Sequence, residues 1–313
     1  MERGTVNGTI SLDDANRKHE SLLQLVFARF RRHRMAMIGV AVMTLITLYV
    51  IGGSFFITER SSNSTDFQNK WGAPSAEHPF GTDALGRDVL ARTIYGGQVT
   101  LLISLLAMVV TAIVGTTLGL ISGFYGGWID SIVMRVSEAL LTIPLLFLLL
   151  VITKFIGSQV PAVKVFGREF SGSVIVVIFV LGFTGWMGLA RIVRAQVLSL
   201  REQEFVTAAR ALGARNLHII FRHIMPNALA PVIVYTTLGI SNVILLEAYI
   251  GFLGMGVQPP TASWGNMIQR ATEKIDSAWW MWLYPGGLIL LTVISINYIG
   301  DGLRDALDPY SKK

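Results

Sequence analysis

Apolar residues in this chain come in long unbroken runs rather than at alternating or three-to-four-residue spacing. Six runs stand out, at 35–57, 99–123, 131–153, 171–190, 228–250 and 280–300. About twenty apolar residues in a helix match a hydrocarbon core of about 30 Å. In such a core only helices and closed barrels satisfy their own backbone. The pattern predicts an all-α integral membrane protein with about six transmembrane helices. The third run has the shortest charge-free core, 139–153, so its span has to take in Arg135 and Glu138 near its start. Pro144, Pro231 and Pro285 fall inside or near span ends, where membrane helices tolerate them.

The polar stretches between the runs have patterns of their own. Residues 1–19 are polar and predict no cleavable signal peptide, so the first span stays as an anchor. In ESLLQLVFARFRRHR, residues 20–34, Leu22, Leu23, Val26, Phe27 and Phe30 share a helix face beside Arg29, Arg31, Arg32 and Arg34. That spacing fits an interfacial helix and also the basic flank of a span. Between runs four and five lies EFVTAARALGARNLHIIFRHIMPN, residues 204–227. It predicts a short helix over 200–212 with Phe205, Ala208, Ala209 and Leu212 on one side, ended by Gly213 at positive φ. A second short helix follows, with Leu217, Ile220, Phe221 and Ile224 on one face and Arg215 and Arg222 on another. Pro226 then opens span five. Such a knob fits either a groove on another protein or a bed of lipid headgroups.

The composition agrees with a membrane protein, with 52% hydrophobic and 15% charged residues. The net charge of +6 is sorted by side rather than gathered for nucleic acid. Lys and Arg number seven in 1–34, six in 191–222 and three in 301–313, against four in 58–97, three in 154–170 and two in 251–281. The bias places both termini and the knob on the cytoplasmic side. The chain divides into a cytoplasmic N-terminus (1–34), a first span with its outer loop (35–98), a five-helix core (99–300) that includes the 200–226 loop, and a cytoplasmic tail (301–313). Gly115, Gly119 and Gly123 in span two, and Gly182, Gly185 and Gly188 in span four, line single faces and predict close helix packing.

Without cysteine there are no disulfides or thiolate nucleophiles. No G-x4-G-K-[ST] loop for ATP phosphates occurs, and YGGQ at 95–98 lies against an outer span end, away from any nucleotide. His218 and His223 are five apart, which misses the i, i+4 metal pairing of an α-helix. An intramembrane enzyme would need a buried acid or nucleophile pair within the spans, and none is present. A channel or secondary transporter acting alone would have no need of the knob.

The spacing of Ala208, Ala209, Gly213 and Pro226 resembles the EAA loop of ABC-importer membrane subunits, with Thr207 where many members have Glu and Met225 where Leu is common. FGTDALGRDVLARTIYGGQVTL (80–101), GFLGMGVQPPTASWGNM (251–267) and GDGLRDALDP (300–309) narrow the likeness to the dipeptide, oligopeptide and nickel transporter permeases. The match is to the second of their two membrane subunits, in the dipeptide branch. The resemblance implies a type I ABC importer permease fold with an interfacial N-terminal helix and a cytoplasmic coupling helix pair. It implies a non-catalytic subunit of the bacterial inner membrane that pairs with a homologous permease subunit, two cytoplasmic ATPase subunits and an extracytoplasmic substrate-binding protein. ATP and Mg²⁺ would be held by the ATPase subunits, and this chain would carry no cofactor or metal. The substrate would be a dipeptide or short oligopeptide, with nickel, haem or another small solute as the alternative.

On this reading Glu204, Ala208, Ala209, Gly213, Arg215 and Pro226 couple to the ATPase. Arg135 and Glu138, at i, i+3, pair either as a helix-end anchor or as part of an inner gate. Glu247 faces either the pathway or solvent at the membrane edge. Asp83 with Arg87, and Asp88 with Arg92, form two helical i, i+4 pairs that either meet the binding protein or make a solvated face. Trp264 lies in the outward loop, and Trp279, Trp280 and Trp282 form an interfacial belt.

Overall fold

The computed structural model describes residues 22–157, 159–165 and 168–308. The predicted polar segment 1–19 and the end of the tail lie outside the described residues, as do the side chains of Leu22 and Leu23. Helix α1 (Leu22–Arg32) is amphipathic and rests on the end of the last helix, α13 (Trp280–Leu307). Arg29 Nη1 donates to the Asp308 carbonyl at 3.1 Å, and His33 Nε2 lies 3.5 Å from the Asp305 carboxylate. His33 Nδ1 accepts from Ala36 N and so caps helix α2 (Arg34–Thr47). A wide π turn at Leu48–Gly52 and α3 (Gly53–Phe56) complete a first span, Arg34–Phe56, close to the predicted 35–57. The short α4 (Glu59–Asn63) opens the outer loop.

The second span, α5 (Val89–Tyr125), begins ten residues before the predicted start. Asp88 caps it by accepting from Ala91 N at 2.7 Å. Its polar first turns survive because tertiary partners take them up. Tyr95 OH donates to the Ile57 carbonyl at 2.7 Å and Gln98 Nε2 to the Val50 carbonyl at 2.9 Å. At 37 residues α5 is about 56 Å long, well beyond a hydrocarbon core.

The predicted third span is two helices, α6 (Gly127–Leu141) and α7 (Leu145–Gly157), bent by 84°. The break falls before Pro144, which has no N–H to continue the helix and disfavours helical backbone at the residue ahead of it. A small hairpin, β1 (Val163–Val165) with β2 (Arg168–Phe170), pairs Val163 with Phe170 and interrupts an otherwise helical chain. Arg168 pins it with a 2.7 Å ion pair to Glu59 and a 2.5 Å bond to Gln98 Oε1.

Helix α8 (Gly172–Arg201) runs parallel to α5, and this is the most extensive helix contact in the molecule. A Cβ on Gly115, Gly119 or Gly123 would meet the Leu189, Val193 or Val197 side chain and a backbone carbonyl beside it at 3.0 Å or less. The exchange is reciprocal, since Gly182 accommodates Val110 and Gly185 accommodates Thr111. Thr111 Oγ1 also donates to the Gly182 carbonyl at 2.9 Å. Both predicted glycine faces are packing faces.

After α8 come α9 (Glu204–Ala211) and α10 (Asn216–Ile219), then α11 (Met225–Phe252), α12 (Trp264–Ala271) and α13. Helix α13 lies antiparallel to α11 and to α2, with Ser241 Oγ donating to Asn297 Oδ1 at 2.8 Å and Gly302 against Ala36. Among the described residues five helices are long and apolar enough to cross a membrane, or six if the bent α6–α7 pair is one span. In that six-span traverse α1, the end of α13 and the α9–α10 segment share one end of the molecule.

The tryptophans depart from expectation. Trp264 is fully buried with Nε1 donating to the Thr93 carbonyl at 2.9 Å, and Trp280 is buried against the Thr82 carbonyl at 3.1 Å. Of the three tryptophans expected to form the belt, Trp279 and Trp282 remain at the surface. The indoles of Trp264 and Trp280 serve the packing of the outer loops onto the helix ends.

Gly119→Leu should disrupt the α5–α8 contact, because its Cβ would lie 2.6 Å from Val193 Cβ and 2.7 Å from the Ala190 carbonyl. A loss of about 3 kcal/mol or more is expected from such overpacking, read as a lowered melting midpoint in detergent. Gly287→Ala, with nothing within 4 Å, should melt like the parent.

Candidate functional site

The segment following α8 forms a compact knob at the end shared by α1 and the last turns of α13. Helix α8 runs on to Arg201, so the first knob helix is α9 alone rather than a helix over 200–212. Its end matches a Schellman motif. Gly213 takes φ +80, its N–H donates to the Arg210 carbonyl at 3.0 Å, and the Ala214 N–H reaches back to the Ala209 carbonyl at 3.1 Å. The positive φ predicted for Gly213 is therefore present, and the turn needs it because a Cβ strains this backbone.

The second predicted helix is not separate. Residues Asn216–Phe252 form one 37-residue helix in which α10 passes through a π turn, Ile220–Ile224, into α11. Pro226 sits in the first turn of α11 and does not interrupt it. The wide turn redistributes the side chains. Ile219, Ile220 and Ile224 turn inward with Val206 and Ala209 against Leu120, Phe124, Val193 and Val197. Burying each such aliphatic side chain contributes on the order of 1.5–3 kcal/mol. The knob is thus seated on the ends of α5 and α8. Arg201 Nη1 adds a 3.3 Å bond to the Gly123 carbonyl, and Arg194 grips Asp130 with two 2.5 Å bonds. The extra residue in the turn also brings the His218 and His223 rings to 5.7 Å, a proximity that α-helical spacing excludes.

The predicted apolar faces are split by this seating. Ala209, Ile220 and Ile224 are inside, whereas Phe205, Ala208, Leu212, Leu217 and Phe221 are outside. Leu212 is 89% exposed, at the tip of the knob. Glu204, Arg210, Arg215 and Arg222 are exposed around these apolar groups. Among the residues expected to couple, Glu204, Ala208, Gly213, Arg215 and Pro226 are therefore presented outward and Ala209 serves as an anchor.

The other expected sites fall elsewhere. Arg135 and Glu138 are both exposed on α6 and make no ion pair with each other, so the predicted i, i+3 pairing is absent. The ion pair that holds α6 is Asp130–Arg194, between residues 64 apart in sequence. Glu247 is fully buried rather than open to a path or to solvent. Thr100 Oγ1 donates to its Oε2 at 3.2 Å and accepts from Trp264 N at 3.1 Å. Gly265 packs directly on the Glu247 backbone, so α12 roofs this junction of α5 and α11.

The outer charge cluster is also inward. Asp83 and Arg87 do pair, at 2.6 Å, but in a turn and not on a helix. Asp83 Oδ1 accepts from Leu85 N and Arg87 N, at 2.8 and 3.0 Å. The predicted Asp88–Arg92 pair is replaced. Asp88 caps α5 and meets His78 Nδ1 at 2.7 Å, while Arg92 turns to Asp83 at 3.7 Å and to the Ser62 carbonyl at 3.1 Å. Asp83, Arg87 and Arg92 are each 5% exposed or less, so they build the loop and do not form a solvated face.

Because Glu247 is walled off, Glu247→Gln should change the KM of solute uptake by less than about 2-fold. Uptake kinetics in cells carrying the variant check this, and a large KM effect would restore a pathway role.

Residues 115–313 match the family described as binding-protein-dependent transport system inner membrane component. Residues 21–74 match the N-terminal TM domain of oligopeptide transport permease C. The dipeptide transport system permease protein DppC of Alkalihalophilus pseudofirmus is 41% identical over 286 residues, 91% of this chain and 89% of that one. The oligopeptide transport system permease protein OppC of Bacillus subtilis is 36% identical over 298 residues, 95% of this chain and 93% of that one. The chain is thus a multi-pass membrane protein that belongs to the binding-protein-dependent transport permease family of ABC importers, whose members work with an ATPase and a binding protein.

Proposed function

We propose that this chain forms half of the translocation pathway for dipeptides or short oligopeptides and is driven by a cytoplasmic ATPase through residues 204–226. The peptide substrate follows from the relatives described as dipeptide and oligopeptide permeases. The other half of the pathway is a homologous permease subunit. Two ATPase subunits hold ATP and Mg²⁺, and an extracytoplasmic binding protein delivers the peptide. The excess of Lys and Arg at the knob end supports a cytoplasmic location for it and for both termini.

One observation carries the coupling role. The knob exposes Phe205, Leu212, Leu217 and Phe221 while Val206, Ile219 and Ile224 lock it to α5 and α8. An exposed apolar tip ringed by arginines suits a groove with an apolar floor and an acidic rim. Rigid seating lets a displacement of the tip move two spans together. For nucleotide to drive the spans, the ATPase groove must bind the knob with different affinity in the two states of the transporter.

Leu212→Asp should leave folding and membrane insertion intact, since the side chain touches almost nothing in this chain. It should cut ATP-dependent dipeptide uptake by about 10-fold or more, equivalent to about 1.4 kcal/mol of lost docking free energy. Normal uptake in this variant would sink the coupling role. Uptake of dipeptides unchanged on deletion of the gene would instead reject the peptide substrate.

A further inference from the structure

Two sequence stretches, 80–101 and 251–267, converge at the end of the molecule opposite the knob. Between them lies a small cavity of about 30 Å³. Arg87, Arg92, Arg270, Gln258, Gln269 and Asn266 line it, and no acidic residue does. Arg87 and Arg92 are each 5% exposed, and Arg270, in the last turn of α12, is half-buried. Arg87 and Arg270 are both close enough to Arg92 to repel it.

The charges around this cavity do not balance. Asp83 is the acidic partner of the group, and its oxygens are already engaged. Oδ2 takes Arg87 Nε at 2.7 Å and Nη2 at 2.6 Å, with Arg92 Nε at 3.7 Å, and Oδ1 takes two backbone N–H groups. Arg270 forms no ion pair or hydrogen bond with any described residue. Guanidinium groups do not discharge by losing a proton. Three of them against one carboxylate leave two positive charges in excess, and burying charge without a counter-charge is costly. Of the amides, Asn266 Nδ2 is committed to the Val257 and Thr261 carbonyls, and Gln258 Nε2 to Gly254 and Gly256.

We propose that this cavity is the seat of one compact monovalent anion, a halide such as chloride or a carboxylate. Its charge would offset one of the two excess positive charges and clamp the 83–88 turn against α12. A single water needs about 10–15 Å³ by the same kind of measure, so a cavity of about 30 Å³ has room for a compact anion. Chloride would come from the medium. A carboxylate would come from another molecule entering at this outer end. The inference does not depend on the transport reading.

The test is thermal melting of the assembled complex in detergent, at constant ionic strength, in chloride, acetate or a bulky sulfonate. Chloride or acetate should raise the midpoint saturably above the sulfonate value, by about 3 °C or more. Arg270→Gln should abolish the rise. A rise in chloride alone assigns the seat to a free halide, and one in acetate alone assigns it to a carboxylate. Equal midpoints in all three anions, or an undiminished rise in Arg270→Gln, overturns the proposal. If Arg270→Gln does not assemble, Arg270→Lys keeps the charge and loses the planar fork. It should need about 10-fold more anion for half-saturation, and an unchanged half-saturation also overturns the seat.

Discussion

The parallel contact between α5 and α8 is the constraint on which the rest of the structure depends. Lipid tails solvate leucine as well as another helix does, so two spans associate through close fit rather than through a drive out of water. The glycines of both helices provide that fit, letting Leu189, Val193 and Val197 of α8 settle on the α5 backbone and Val110 of α5 settle on Gly182. The contact runs from one end of the bundle to the other. The two helices therefore behave as a single rod, and whatever is fixed to its ends is fixed to both spans.

The two ends are finished in opposite ways. At the knob end, aliphatic side chains turn inward to seat the segment, and further apolar groups are left facing out. That is an unfavourable surface for an isolated subunit and a favourable one for a docking element. At the far end, charged and polar groups turn inward. Asp83, Arg92 and Arg168 hold loop to helix, Arg87 braces the turn at Asp83, Glu247 joins α11 to α5 through Thr100, and the tryptophans fill the space between. An end that must keep its shape while something presses on the other is best built from directional bonds, which resist sliding better than apolar contact does.

The site was only partly legible in the sequence. Gly213 declared its positive φ, since the pattern before it is helical and the pattern after it starts a new helix. The glycine faces of α5 and α8 declared their packing through regular spacing. The faces of the knob did not declare themselves, because the π turn at Ile220–Ile224 changes the angular step and moves Ile220 and Ile224 away from Leu217 and Phe221. The charge pairs were misread for a related reason. Counting i, i+4 on an assumed helix pairs Asp88 with Arg92, but the helix begins at Val89 and Asp88 is spent on capping it.

What the sequence by itself determined is what depends on local pattern: the number and rough place of the spans, the side on which positive charge gathers, the turn at Gly213 and the family motifs. Each of these follows from hydrophobic run length or from the backbone freedom of one residue. What the tertiary structure alone decided is which polar groups are inside. Glu247, Trp264 and Arg92 look like exposed or pathway-facing residues until Thr100, Thr93 and Ser62, far away in sequence, are brought to them as partners. A polar side chain is buried where a partner meets it, and the partner's position is a property of the fold.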